Sequence, residues 1–153
     1  MYKKKSGFTL TELLTAVSIS TILVLTSGMV ISNGLSSWRR GQRRIALDSD
    51  AASAVLMIER YFREGSGYEI DVSGERIDIF EAGTNNVHII FDKSGESLRK
   101  TDLNAGTTMD VVQNVSSLSF ISVGESTVEV QLNLQDEPLK SFLSTTLKHR
   151  SNY

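Results

Sequence analysis

The sequence predicts an α+β fold in which a long N-terminal helix, membrane-spanning in its first half, packs on a C-terminal antiparallel β-sheet. Two observations predict this fold. The run Phe8 to Ile31 is almost continuously apolar, and a helical spacing of apolar residues then continues to Glu64. Beyond Gly67 apolar and polar residues alternate, which is the pattern of half-buried strands. A helix followed by a run of strands is the segregated order of α+β domains.

The apolar run has the length of a single membrane span. Between Ser6 and Trp38 the one formally charged residue is Glu12, and a helix of about 20 apolar residues crosses about 30 Å of hydrocarbon. Basic residues stand on both sides of the run, so the positive-inside rule alone does not orient it. Because most of the chain follows the run, we expect the globular part to lie outside the cytoplasm.

A short motif joins the basic N-terminus to this run. It reads Lys3-Lys4-Lys5-Ser6-Gly7-Phe8-Thr9-Leu10-Thr11-Glu12-Leu13-Leu14, and it resembles the leader and cleavage site of type IV prepilins and type II secretion pseudopilins. In those proteins a membrane peptidase cuts between the glycine and the phenylalanine and methylates the new amine. The resemblance therefore implies cleavage between Gly7 and Phe8, N-methylation of Phe8, and a pilin-like fold. It also implies a leader at 1–7, a transmembrane and assembly helix at 8–34 and a globular domain at 35–153.

Glu12 is the unusual residue of the run, because a carboxylate in a membrane costs free energy. The resemblance implies that Glu12 acts in assembly by pairing with the N-terminal ammonium of a neighbouring subunit. The alternative is a carboxylate tolerated at the interface and favoured by the positive end of the helix dipole. Many pilins carry a proline within the anchor, where this chain has Ser27-Gly28-Met29-Val30.

An amphipathic helix is predicted over residues 35–64. Its apolar residues recur three and four apart and should face the sheet: Leu47, Ala51, Ala54, Val55, Ile58, Tyr61 and Phe62. Glu59 with Arg63 and Arg60 with Glu64 have the spacing of helical ion pairs. Glycines directly after Glu64 end the helix.

The sheet is predicted over residues 68–147. Alternating segments are Tyr68 to Val72, Ile77 to Ile79, Val87 to Phe91, Leu118 to Phe120, Val128 to Leu134 and an edge strand at Leu139 to Leu147. Hairpin turns are expected at Ser73-Gly74, Lys93-Ser94-Gly95 and Gly124-Glu125-Ser126. The helix end Met57 to Glu64 and a turn at Gly95 to Arg99 resemble the minor pilins and J-type minor pseudopilins, which help to start a fibre at its tip.

A basic cluster follows the anchor. Arg39, Arg40, Arg43 and Arg44 are predicted to contact lipid headgroups at the membrane surface, or to pair with acidic neighbours such as Asp48 and Asp50. Contact with DNA phosphates is the less favoured alternative. The formal net charge of −2 gives the chain no general attraction to nucleic acid.

No catalytic residue, metal site or cofactor is predicted. The chain has no cysteine, which excludes disulfides and thiolate chemistry. Asp102 to Gly106 has part of the spacing of a calcium loop but lacks its later glutamate, so a turn is expected there. His88 and His149 are interpreted as structural or solvated residues.

Two functions from different classes remain at this point. The first is a structural subunit, a minor pilin or pseudopilin of a type IV pilus, a competence pseudopilus or a type II secretion pseudopilus. It would be stored in the cytoplasmic membrane and then assembled into a fibre at the cell surface or in the periplasm. Its partners would be other pilin subunits, prepilin peptidase, the inner-membrane assembly platform and the lipid bilayer. The second is a secreted binding domain exported by a conventional signal, with a mature start near Gly34.

Overall fold

The computed structural model describes residues 9–84, 86–124 and 126–149. Helix α1 spans Leu10–Glu64, and eight strands follow it: β1 (Gly67–Ile70), β2 (Arg76–Phe80), β3 (Val87–Ser94), β4 (Ser97–Asp102), β5 (Thr107–Val112), β6 (Val115–Gly124), β7 (Thr127–Asp136) and β8 (Leu139–Lys148). The chain divides into two units, Met1–Gly41 and Gln42–Tyr153. The predicted α+β class, a long helix with antiparallel strands after it, is confirmed.

The predicted apolar stripe of the second half of α1 is the part of the helix that is buried. Its six fully buried members are Leu47, Ala51, Ala54, Val55, Ile58 and Phe62, while Tyr61 is half-buried against Phe91. Both predicted ion pairs form on the outer side, Arg60 with Glu64 and Arg63 with Glu59. The helix ends before Gly65, where a Cβ atom would lie 2.5 Å from Cγ2 of Ile79. Glycine is therefore required for the chain to leave the helix beside β2.

The strands form two antiparallel sheets, where the sequence predicted one. The first has the order β1-β2-β3-β4-β5 and the second the order β6-β7-β8. The link between β5 and β6 is Gln113-Asn114, and Asn114 adopts a φ of 63°, a left-handed conformation that asparagine tolerates. Strand β6 then pairs with β7 and starts the second sheet. Strand β8 lies at an edge, as predicted.

Strands β4 and β5 are the elements that the sequence did not predict. The turn is shorter than the predicted Gly95 to Arg99, because β4 begins at Ser97. Ser97 already pairs with Ser94, the last residue of β3. Gly95 has a φ of 61°, as a tight turn requires. At the other end of the first sheet, β1 stops at Ile70 and Val72 lies in the turn, so the strand predicted to reach Val72 is also too long.

One apolar core joins the second half of α1 to both sheets. Its buried members from the strands are Ile77, Ile79, Ile89, Phe91, Leu98, Val112, Val115, Leu118, Phe120, Val128, Val130, Leu132, Leu134 and Leu147. Among the described residues of the globular unit, the buried polar side chains are those of Lys100 and Ser141. The Lys100 ammonium donates to the Tyr61 hydroxyl over 2.6 Å, and the Ser141 hydroxyl donates to the Asp48 carboxylate over 2.6 Å. Each buried polar group therefore ties a strand to the helix.

Candidate assembly and membrane-anchoring segment

The start of α1 is closed by a reciprocal cap between Thr9 and Glu12. The Glu12 carboxylate accepts from the Thr9 backbone N–H and from the Thr9 hydroxyl, both over 2.9 Å, and the Glu12 N–H donates to the Thr9 hydroxyl over 3.3 Å. This is a capping box, with a threonine before the first helical residue and a glutamate three residues on. The capping role of Thr9 was not predicted, although the Thr-x-x-Glu spacing before an apolar run is the sequence pattern of such a cap.

The residues predicted to direct processing lie outside the described residues; they are Lys3, Lys4, Lys5, Gly7 and Phe8. The structure therefore begins just after the predicted cleavage site. Of the predicted site residues, it describes Glu12 and the arginine cluster. The Glu12 carboxylate is exposed and held within one turn of the helix start.

The first half of α1 presents apolar side chains on all sides. Its most apolar 18-residue stretch has no buried residue, and α1 is, among the described residues, the one helix long and apolar enough to cross a membrane. The segment is helical without interruption through Ser27-Gly28-Met29-Val30. A helix that is apolar all round requires an apolar environment, either lipid or other helices.

Four hydroxyl groups within this segment are satisfied by the helix itself. The side chains of Thr15, Ser18, Thr21 and Thr26 each donate to a carbonyl three or four residues earlier, over 2.8 to 3.1 Å. A polar group in hydrocarbon must find its partner within the protein, because water is absent there. These four hydroxyl groups are therefore compatible with a lipid environment, and Glu12 remains the one formally charged residue of the segment.

The arginine cluster follows the anchor on exposed positions of α1. Within the described ranges, none of Arg39, Arg40, Arg43 and Arg44 has a carboxylate oxygen within 4.0 Å. The expected pairing with Asp48 is absent, since that carboxylate instead accepts a hydrogen bond from Ser141. The arginines thus present their charge to the surroundings of the protein.

The other candidate residues lie at separate places in the fold, with Asp102 at the end of β4, His88 in β3 and His149 directly after β8. Asp102 to Gly106 forms the predicted turn between β4 and β5, where Asp102 accepts from the Ala105 N–H over 2.9 Å. The Nε2 atom of His88 lies 3.6 Å from a carboxylate oxygen of Asp102. The His149 ring packs edge-on against the Phe62 ring, with 5.6 Å between the ring centres. In the described part of the chain, no three His, Asp or Glu residues are grouped so that they could hold a metal ion.

Comparison with known proteins identifies the N-terminal segment. Residues 2–28 match the prokaryotic N-terminal methylation motif. No curated protein and no solved structure matches the chain. The match spans the predicted leader, the cleavage site, Glu12 and most of the apolar run, and it is consistent with a type IV pilin-like protein.

The motif also indicates how the protein is processed and what it assembles with. It supports a pilin or pseudopilin that is a substrate of prepilin peptidase and assembles with other pilin subunits. Together with the exposed apolar helix, it fits a protein anchored in the inner membrane before assembly into a surface or periplasmic fibre. The motif and the fold suggest a structural subunit without enzymatic activity.

Proposed function

We propose that the chain is a minor pilin or minor pseudopilin of a type IV pilus, a competence pseudopilus or a type II secretion pseudopilus. Prepilin peptidase cuts it between Gly7 and Phe8 and methylates the new amine of Phe8. The mature subunit waits in the cytoplasmic membrane with residues 8–34 in the bilayer and the globular domain, residues 35–153, outside. The observation that carries the proposal is the methylation motif at residues 2–28, placed directly before and within a capped, fully exposed apolar helix.

Cleavage at this place leaves the anchor intact. A conventional signal is cut after its apolar run and is lost, whereas a cut before Phe8 keeps the whole run on the mature chain. Gly7 offers no side chain to obstruct a protease at the membrane surface. The three lysines Lys3, Lys4 and Lys5 lie next to the cleavage site, at the end of the chain that stays on the cytoplasmic side in this proposal. The released subunit is therefore still a membrane protein.

Glu12 supplies the recognition charge for docking. In the single subunit its carboxylate is held by two neutral donors of Thr9, which leave its negative charge uncompensated. The methylated ammonium of Phe8 on an adjacent subunit stays cationic at neutral pH and can pair with that charge. Such a pair is stabilised by the low dielectric of a helix bundle, where an unpaired carboxylate is costly. Subunits without the pair are therefore disfavoured inside the fibre.

The C-terminal end of α1, Met57 to Glu64, resembles the same segment of minor pilins and J-type minor pseudopilins. This resemblance supports the role of a minor subunit at the fibre tip over that of a major subunit. The anchor also lacks the proline found in many pilins, and α1 is helical through Ser27-Gly28-Met29-Val30. Assembly would involve the inner-membrane platform and other pilin subunits as partners.

The test replaces Glu12 in cells that contain prepilin peptidase and a fibre-assembly machine. We expect Glu12→Ala to be cleaved normally, as read by mass spectrometry of membranes, and to be lost from the sheared fibre fraction. Glu12→Asp keeps the charge and should retain part of the incorporation. Ser18→Ala is the matched control, because it removes a polar group of the same helix whose hydroxyl donates to the Leu14 carbonyl. Normal incorporation of Glu12→Ala would show that Glu12 does not supply the docking charge. Absence of the unchanged chain from the fibre fraction, with a mature start near Gly34, would support export by a conventional signal instead.

A further inference from the structure

Trp38 marks a second functional position on the anchoring helix. It is the only tryptophan in the chain, and 63% of its side chain is exposed. Large exposed aromatic side chains are expensive in water but are enriched where a helix passes from hydrocarbon to the headgroup region. Trp38 therefore indicates an interface rather than bulk solvent.

The distance from the helix start to Trp38 equals the thickness of a bilayer. From Leu10, the first residue of α1, the helix rises 28 residues to Trp38, about 42 Å at 1.5 Å per residue. A bilayer with its headgroups is about 40 to 45 Å thick. When Leu10 lies at the cytoplasmic interface, Trp38 therefore lies at the opposite one.

Arginines directly follow this position. Arg39 and Arg40 are exposed, and in the described ranges neither has a carboxylate within 4.0 Å. Arg43 and Arg44 follow each of them by four residues, so the basic side continues for one more helical turn. Guanidinium groups bind phosphate oxygens through paired hydrogen bonds, and each basic residue near an anionic surface raises the affinity about fivefold.

We propose that Trp38, Arg39 and Arg40 form a binding site for anionic phospholipid headgroups at the outer face of the cytoplasmic membrane. The indole lies among the headgroups, and the two guanidinium groups bind lipid phosphates. The site fixes the depth of the stored subunit and adds a barrier to its extraction into the fibre. This inference rests on the membrane-stored subunit proposed above.

The single tryptophan makes the site directly measurable. The full chain is reconstituted in vesicles, and Trp38 fluorescence is quenched with lipids brominated on the acyl chain near the headgroup, either phosphatidylglycerol or phosphatidylcholine at equal fractions. We expect brominated phosphatidylglycerol to be favoured at least fivefold, in the ratio of the two lipid binding constants. Arg39→Gln with Arg40→Gln should bring that ratio close to one. Arg60→Gln with Arg63→Gln is the matched control, since it removes equal charge where both arginines are already paired.

Several results would overturn the proposal. Equal quenching by the two lipids, or a preference that survives the Arg39 and Arg40 substitutions, would disprove the anionic-lipid site. The membrane-stored subunit would be unaffected by either result. Displacement of the lipid preference by inorganic phosphate at millimolar concentrations would indicate a free-phosphate site. Binding of duplex DNA that depends on Arg39 and Arg40, without any lipid preference, would make the cluster a nucleic-acid contact. If no brominated lipid quenches Trp38, the helix has not inserted, and the membrane-stored subunit itself is wrong.

Discussion

Thr9 holds the carboxylate of Glu12 against the first turn of α1, with a backbone N–H and a hydroxyl both 2.9 Å from the same oxygen. The residue that the pilin resemblance assigns to docking is therefore also the residue that closes its own helix. The cap uses one oxygen of the Glu12 carboxylate. We infer that docking exchanges or supplements the Thr9 bonds with an ammonium from the next subunit, and that Thr9 positions the carboxylate until then.

The first prediction concerns Thr9. Replacing an N-cap threonine by alanine costs about 1 kcal/mol, and Thr9→Ala also removes one of the two donors that hold Glu12. We expect normal cleavage and a severalfold lower incorporation into fibres, with near-normal incorporation for Thr9→Ser. Mass spectrometry measures cleavage and immunoblotting of sheared fibres measures incorporation. Incorporation of Thr9→Ala equal to that of the unchanged chain would show that the cap does not position Glu12.

The second prediction concerns the buried stripe of α1. Ile58 is completely buried, whereas Leu56 on the same helix is 63% exposed. Ile58→Ala should lower the free energy of unfolding by about 2 to 5 kcal/mol, and Leu56→Ala should change it by less than about 0.5 kcal/mol. Urea unfolding of the full chain in mild detergent, followed by circular dichroism, measures both. Similar effects for the two variants would contradict the burial of this face against the sheets.

The third prediction concerns the buried lysine of β4. The Lys100 ammonium bonds to the Tyr61 hydroxyl and lies 4.1 Å from the centre of the Tyr61 ring. Tyr61→Phe keeps the ring but removes the acceptor, so we expect a loss of about 1 to 3 kcal/mol in the free energy of unfolding. In Lys100→Met the same tyrosine substitution should have a smaller effect. A double-mutant cycle with no coupling between the two positions would show that the hydrogen bond does not stabilise the fold.

The fourth prediction concerns acid sensitivity in the second sheet. Hydrogen bonds from the Gln131 amide and the Ser144 hydroxyl hold the pKa of Glu129 below its ordinary value of 4.5. A carboxyl with a lower pKa in the folded state stabilises the protein above pH 4.5, and this contribution is lost as pH falls through the folded pKa. The stability difference between the unchanged chain and Glu129→Gln should therefore shrink below pH 4.5. Urea midpoints at neutral and acid pH measure it, and a difference independent of pH would contradict the assignment.

Local patterns in the sequence were sufficient to predict the helix and its buried face. The stripe from Leu47 to Phe62 follows the 3.6-residue period closely, and that period survives whatever the helix packs against. The outer ion pairs were equally local, because residues four apart always meet on a helix. The motif around Gly7 and Phe8 depended on resemblance rather than on any physical derivation.

The pairing of strands that are distant in the sequence could not be predicted from local patterns. Strand β4 buries Lys100 beside Leu98, so its polar composition conceals the alternation that reveals other strands. The lysine is tolerated because Tyr61, distant in sequence, provides an acceptor. The separation into two sheets depends on the left-handed turn at Asn114 and on the partners chosen by β5 and β6, which no local period encodes.

Processing of this chain as a pilin is tested most directly by the N-terminus of the mature protein. Intact-mass and N-terminal peptide spectrometry of the protein recovered from its native membrane should show a chain that begins at methylated Phe8. A start near Gly34 would identify a conventional signal, and an uncut chain beginning at Met1 would show that prepilin peptidase does not process it. Either of these results would contradict the account.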